Sequence, residues 1–195
     1  MKVKLAGPVK HFLVDESGAF IIEFAITFPV LIMLSFGLLE FSLVIFDYQR
    51  AAEATRRGVR MTVIELPIAD TGPLLGGDII QCNAVNGVVG CVSSDPTTVA
   101  QPSTVADVNF ANLLTEMQQA YPTLTEDNVI LTYEGVNVGD PTGGGILPLV
   151  TLQLKGVRHE MIVGHLIGIK YINFPDFTTT VLGPGSYTNT VPPKK

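Results

Sequence analysis

The sequence predicts an α+β protein. A long N-terminal transmembrane helix continues into an amphipathic helix and leads to a small domain, in which one helix packs on an antiparallel sheet of about three strands. Three observations carry this prediction. Residues 19–46 are apolar except for Glu23, Thr27, Ser35, Glu40 and Ser42, longer than the roughly 20 residues a membrane-spanning helix requires. The residues that follow keep a helical spacing of apolar positions while charges enter among them. The distal half then changes from a period near 3.6 to one near 2. Composition agrees: of 195 residues, 47% are hydrophobic and 15% charged, and the mean hydropathy of +0.39 is high for a wholly soluble chain.

The first element, residues 19–46, extends about 42 Å at 1.5 Å per residue, more than the roughly 30 Å hydrocarbon layer. Its uncharged interval, 24–39, extends about 24 Å, so Glu23 and Glu40 need not lie at the bilayer centre. Both are free to sit at the two interfaces; Glu40 is expected to mark the outer one, with a bond to an Arg of a neighbouring helix as the alternative. A charged group within a membrane helix is a functional candidate whose partner has to be named. Pro29 removes a backbone donor inside the run and is expected to kink the helix. A cleaved secretory signal has an apolar core of about 7 to 15 residues, so this segment is read as a retained anchor. Three lysines precede it (Lys2, Lys4, Lys10) and four arginines follow (Arg50, Arg56, Arg57, Arg60), so the charge rule does not orient it.

Residues 47–65 read as the amphipathic extension, with Ala51, Ala52, Ala54, Val59 and Val63 among charges. Residues 66–103 are rich in Gly, Pro, Asp, Ser and Thr without a sustained period, and are expected to be irregular. Within them QCNAVNGVVGC holds the two cysteines, Cys82 and Cys91. No neighbouring Cys or His supplies a zinc set. A small disulfide loop is preferred over two buried free thiols, and it favours an extracytoplasmic domain with the N-terminus inside.

The distal domain, 104–183, opens on a helix. Ser103 or Thr104 is the expected cap, Thr104-x-x-Asp107 approximates a capping box, and Phe110, Leu113, Leu114, Met117 and Tyr121 form one apolar face until Pro122. Strand-like runs follow at 128–133, 149–157 and 174–182, the first pair joined by the loop NVGDPTGGG. Residues 161–169 are apolar and read as a short helix or crossover. Residues 184–195 read as a flexible tail.

Charge and motif exclude several chemistries. Residues 1–60 carry seven basic and six acidic side chains, and residues 61–195 five and twelve. That acidic distal part has no basic stripe for phosphates, so nucleic acid is not an expected partner. His159-Glu160 with His165 does not make HExxH, because the histidines are six apart rather than four. PTGGG lacks the Lys-Ser/Thr of a phosphate loop, and no Gly-x-Ser-x-Gly elbow surrounds Ser186 or another serine. No enzyme, cofactor or metal site is expected.

Gly18, four intervening residues, Glu23 and Phe24, then a long apolar helix, resemble the prepilin signature of type IV pilin-like proteins. The wider set, with Pro29, Gly37, Glu40, Phe41, Ala51, Ala52, Arg57, Gly58 and Arg60, resembles the TadE-like family, minor pseudopilins of the Tad (tight adherence, Flp) pilus machinery. The resemblance covers roughly 45 residues. It implies a pilin-like α+β domain, a leader over residues 1–18, and cleavage after Gly18 by a membrane-embedded prepilin peptidase on the cytoplasmic side, leaving Ala19 as the mature terminus. Glycine suits that junction because it lets the backbone extend and be approached closely. Glu23, one helical turn on, would neutralise the new amine in the same chain or a neighbour and, with Phe24, set the register between subunits. Asp15 and Glu16 before the junction, and Phe24 in place of the Tyr of major Flp pilins, depart from the pattern.

The implied partners are membrane lipid, the peptidase, other pilins and pseudopilins, and the inner-membrane assembly platform. The implied location is the inner membrane, as a single pass with the distal domain periplasmic. The competing reading is a signal-anchored extracytoplasmic binding domain or enzyme that joins no pilus.

Overall fold

A computed structural model of the chain describes residues 16–64, 68–70, 74, 77–94, 100–140 and 145–183. Residues 1–15 of the expected leader and the expected tail from residue 184 lie outside the described residues. The chain divides into two compact units, one comprising Met1–Val44 with Met161–Lys170 and the other Ile45–Glu160 with Tyr171–Lys195.

Helix α1, Glu16–Ile64, runs without a break through Pro29 and contributes to both units. In the first unit its apolar side chains face outward: Phe20, Ile21, Ile26, Leu34, Leu38 and Phe41 are all exposed. A core helix of a soluble protein buries one stripe, whereas this part of the helix exposes apolar side chains all round. Its companion, Met161–Lys170, closes on itself through Met161 N donating to Lys170 O (2.9 Å) and Ile169 N to Gly164 O (2.8 Å). Between them Gly164–Ile167 forms a single 3₁₀ turn, ended by Gly168 at φ +88°.

In the second unit the helix behaves conventionally. Ala51, Ala54, Thr55, Val59 and Thr62 are buried, a stripe at spacings of three and four that faces the domain core. Small side chains on this stripe permit close approach. A Cβ added to Gly58 would lie 2.6 Å from Met117 Sδ and 2.8 Å from Leu152 Cδ1, so helix and sheet meet there with no space for a methyl group.

Strands β1 (Ala69–Asp70), β2 (Ile79–Val85), β3 (Val88–Ser93) and β4 (Gln101–Pro102) precede helix α2, Ala106–Ala120. Strands β5 (Val129–Asp140), β6 (Gly145–Leu154), β7 (Arg158–Glu160), β8 (Tyr171–Asn173) and β9 (Phe177–Leu182) follow it. The main sheet is antiparallel, in the order β3-β2-β5-β6-β9, with two-stranded pairs β1-β4 and β7-β8 beside it. Alternation builds its inner face: Ile80, Cys82 and Ala84 from β2, Val129, Leu131 and Tyr133 from β5, and Val150, Leu152 and Leu154 from β6 are all buried. Phe110, Leu113 and Met117 of α2 complete the core.

The fold is the expected mixed α+β arrangement of a long apolar helix followed by a helix on an antiparallel sheet, with five strands in the main sheet rather than about three. The additional strands come from residues 66–103, expected to be irregular. IIQCNAV alternates between exposed and buried positions and turns through Asn86 and Gly87, both at positive φ, the backbone of a tight two-residue hairpin. The capping box at Thr104 does not form: α2 begins after Val105 without a side-chain cap. Asp107 accepts instead from Val89 N at 2.8 Å, tying the helix to the hairpin.

Candidate functional site

The residues singled out by the sequence lie on the exposed turns of α1. Gly18 and Ala19 are helical and exposed, and a Cβ on Gly18 would meet nothing within 4 Å. Packing within the chain therefore does not require glycine there. Glu23 is exposed, with no ion pair or hydrogen bond among the described residues. Phe24 stacks on Phe28, centroids 5.1 Å apart, so the two rings form one apolar ridge beside that carboxylate.

Glu40 differs from its polar neighbours on the helix. It is only 5% exposed, and it is covered by Met161–Lys170 of its own unit. Its carboxylate accepts hydrogen bonds from three consecutive amides, those of Ile162, Val163 (2.8 Å) and Gly164 (2.9 Å). A buried carboxylate is tolerated when its lone pairs are filled, and backbone donors fill them with good geometry. Beyond the interfacial position expected of it, Glu40 is the acceptor of a specific backbone clamp. A separation of more than 120 residues leaves no local signal of it, although the carboxylate in an apolar run is itself a sign that a partner is needed.

The second unit holds another long-range polar pair. His159 Nδ1 lies 2.6 Å from Asp47 Oδ2, joining β7 to α1, and both side chains are largely sequestered. His159 Nε2 is buried without a partner among the described residues. The pair borders a cleft of about 530 Å³, lined also by Tyr121, Thr123, Arg158 and Glu160. Nearby, Arg50 donates from Nε to Ala120 O (2.8 Å) and covers the Phe46 ring, occupying a free carbonyl at the end of α2. His165 belongs to the Met161–Lys170 segment of the first unit, so the two histidines considered in the sequence serve different units. No group of three metal-ligating side chains occurs among the described residues.

Cys82 and Cys91 form a disulfide between directly opposed positions of β2 and β3. Among the described residues, α1 is the one helix long and apolar enough to cross a membrane, and its most apolar stretch is unburied. It is therefore a candidate membrane anchor.

No curated protein and no solved structure matches the chain. Over residues 18–60, from Gly18 through the Ala- and Arg-containing turns of α1, the chain is similar to the family model described as TadE-like protein.

Proposed function

We propose that the chain is a membrane-anchored minor pseudopilin that takes part in assembly of a Tad/Flp-type pilus, without enzymatic activity of its own. What carries the reading is that the TadE-like match over residues 18–60 falls on a helix whose apolar side chains are turned outward. Such a surface serves lipid before assembly and other pilin helices afterwards.

In this reading a prepilin peptidase cuts after Gly18 on the cytoplasmic side of the inner membrane. The Ala19 amine so formed, with a reference pKa near 8, is neutralised by Glu23. Exposed and without a partner among the described residues, Glu23 is available to the amine of its own chain or of a neighbour, and its place near the helix start also complements the positive end of the helix dipole. Other pilins, pseudopilins and the inner-membrane platform are the partners, with the distal domain periplasmic.

The test is the mature terminus. In a host carrying the peptidase, mass spectrometry should find a chain that begins at Ala19, and Gly18→Leu should retain the leader and migrate more slowly. Identical mobility of the two chains would remove processing, and with it the pseudopilin reading. The cleft beside Asp47 and His159 favours a second reading, an anchored extracytoplasmic binding domain. A distal fragment that binds a small ligand, in a chain that is never processed, would favour it.

A further inference from the structure

Met161–Lys170 is the most apolar exposed loop among the described residues of the distal half. Ile162 is 74% exposed, Leu166 79% and Ile167 64%, with Ile169 beside them. Three features separate it from an ordinary greasy loop.

The first is where it is held. Glu40 binds the amides of Ile162, Val163 and Gly164, at the end of the uncharged interval of α1. The loop therefore lies at the level of Leu38, Leu39, Phe41 and Leu43, which are themselves exposed. Loop and helix belong to one compact unit, so the depth of the helix sets the depth of the loop.

The second is its own polar groups. At least seven of its ten amides are satisfied inside the unit: three by Glu40, and those of Met161, Leu166, Gly168 and Ile169 by loop carbonyls. Water would satisfy them on an aqueous loop, whereas hydrocarbon supplies no acceptor, so non-helical backbone enters it only when bonded internally. The third is compactness. A Cβ on Gly164 would lie 2.7 Å from Ile169 O, and Gly168 ends the turn at positive φ, so the backbone folds tightly while the large side chains point away.

We propose that Met161–Lys170 is a second membrane-contacting element, a wedge clamped to α1 by Glu40 that inserts Ile162, Leu166 and Ile167 into the leaflet at that end of the helix. The occupant of its apolar face is lipid. Exposed Lys170, at the loop's end, suits the headgroup level. Continuity with the exposed helix surface makes one lipid-facing patch, and the wedge withdraws the Glu40 carboxylate from hydrocarbon.

The proposal rests on α1 being a membrane anchor, and the test separates the two. The chain has no tryptophan, so single reporters are unambiguous. Full-length Leu166→Trp and Leu34→Trp are each reconstituted in phosphatidylcholine vesicles with and without bromine on the acyl chains, and aqueous acrylamide is added in a parallel series. A side chain ~5–10 Å into the headgroup/acyl boundary should lose roughly half or more of its emission to bromine near the glycerol end, and should be shielded from acrylamide. Adding Glu40→Ala to Leu166→Trp should reverse both effects.

If Leu34→Trp is quenched by bromine while Leu166→Trp is not and acrylamide reaches it, the wedge is in water and the proposal fails with the anchor intact. If Leu166→Trp is shielded from both quenchers, a protein copy covers the loop and lipid is the wrong occupant. If Leu34→Trp itself escapes bromine, the anchor reading fails and takes the wedge with it.

Discussion

Asp47 and His159 each keep a polar side chain largely out of water, and each supplies the other's hydrogen bond at 2.6 Å. Removing one partner leaves the other with its desolvation cost and no return, about 1–3 kcal/mol. Asp47→Ala should therefore lower the unfolding free energy of the distal unit by that amount, read as a lower denaturation midpoint. The apolar double replacement Asp47→Leu with His159→Phe should cost less than the single change, and an equal or larger cost would show that the pair is not the source. Tyr133 is the other residue whose burial has a measurable consequence. Burial raises its phenol from 10.0 to about 12, against smaller opposing effects from the Ile68 and Ala69 backbone, with Ile68 N donating to its oxygen at 3.2 Å. The folded state thus favours the neutral phenol. Its contribution is full below pH 10 and is lost as pH rises through about 12, a change of about 2–3 kcal/mol at 1.36 kcal/mol per unit. Stability against urea should fall across that window, and Tyr133→Phe should flatten the fall while losing the bond to Ile68. An unaltered slope in the Phe variant would assign the alkaline loss to other groups.

Among the elements, the β2-β3 hairpin shows how a covalent link and a sheet reinforce one another. Cys82 and Cys91 face each other in register, and Cys82 is fully buried against the core, so ladder, packing and covalent bond hold the same pair of positions. A link across nine positions removes about 2–3 kcal/mol of chain entropy from the unfolded state in the loop-closure account. Replacing both cysteines by alanine should shift the denaturation midpoint accordingly while leaving the far-ultraviolet spectrum of the sheet in place. A midpoint unchanged by the replacement and by reductant would show that the ladder alone holds the hairpin. Helix α2 is held differently. It has no side-chain N-cap, and its anchors are tertiary: Asp107 to Val89 N, Arg50 to Ala120 O, and the buried face of Phe110, Leu113 and Met117. That explains why a cap expected from Thr104 is dispensable, since packing contributes more to a helix in a protein than its terminal bonds do.

At the scale of the whole molecule, one helix carries two kinds of surface. Its first part is apolar on every side and its last part only on a stripe, and the change occurs between Val44 and Ala51, where the domain core begins. A chain beginning at residue 45 retains every buried residue of the distal unit and should unfold in a single transition in aqueous buffer, whereas the full chain should require detergent or lipid. Loss of near-ultraviolet dichroism in the short chain would show that the core depends on the first 44 residues. Much of this organisation was legible without coordinates: the anchor from the length of its apolar run, the extension from its helical stripe, α2 from Phe110, Leu113 and Met117, and the alternating strands around Leu131 and Leu152. These depend on local periodicity, which burial on one face imposes directly on the order of side chains. The resemblance of residues around Gly18, Glu23 and Arg57 was legible for the same reason, because it is carried by contiguous sequence. The hairpin of β2 and β3 was obscured by its Gly and Asn content, and the partners of Glu40, Asp47 and Asp107 had no sequence signature at all. Each of those bonds joins positions far apart in the chain, and only closure of the fold brings them within hydrogen-bonding distance. Local order of apolar residues determined the helices and most strands, and the tertiary structure alone decided which polar groups are satisfied and by what.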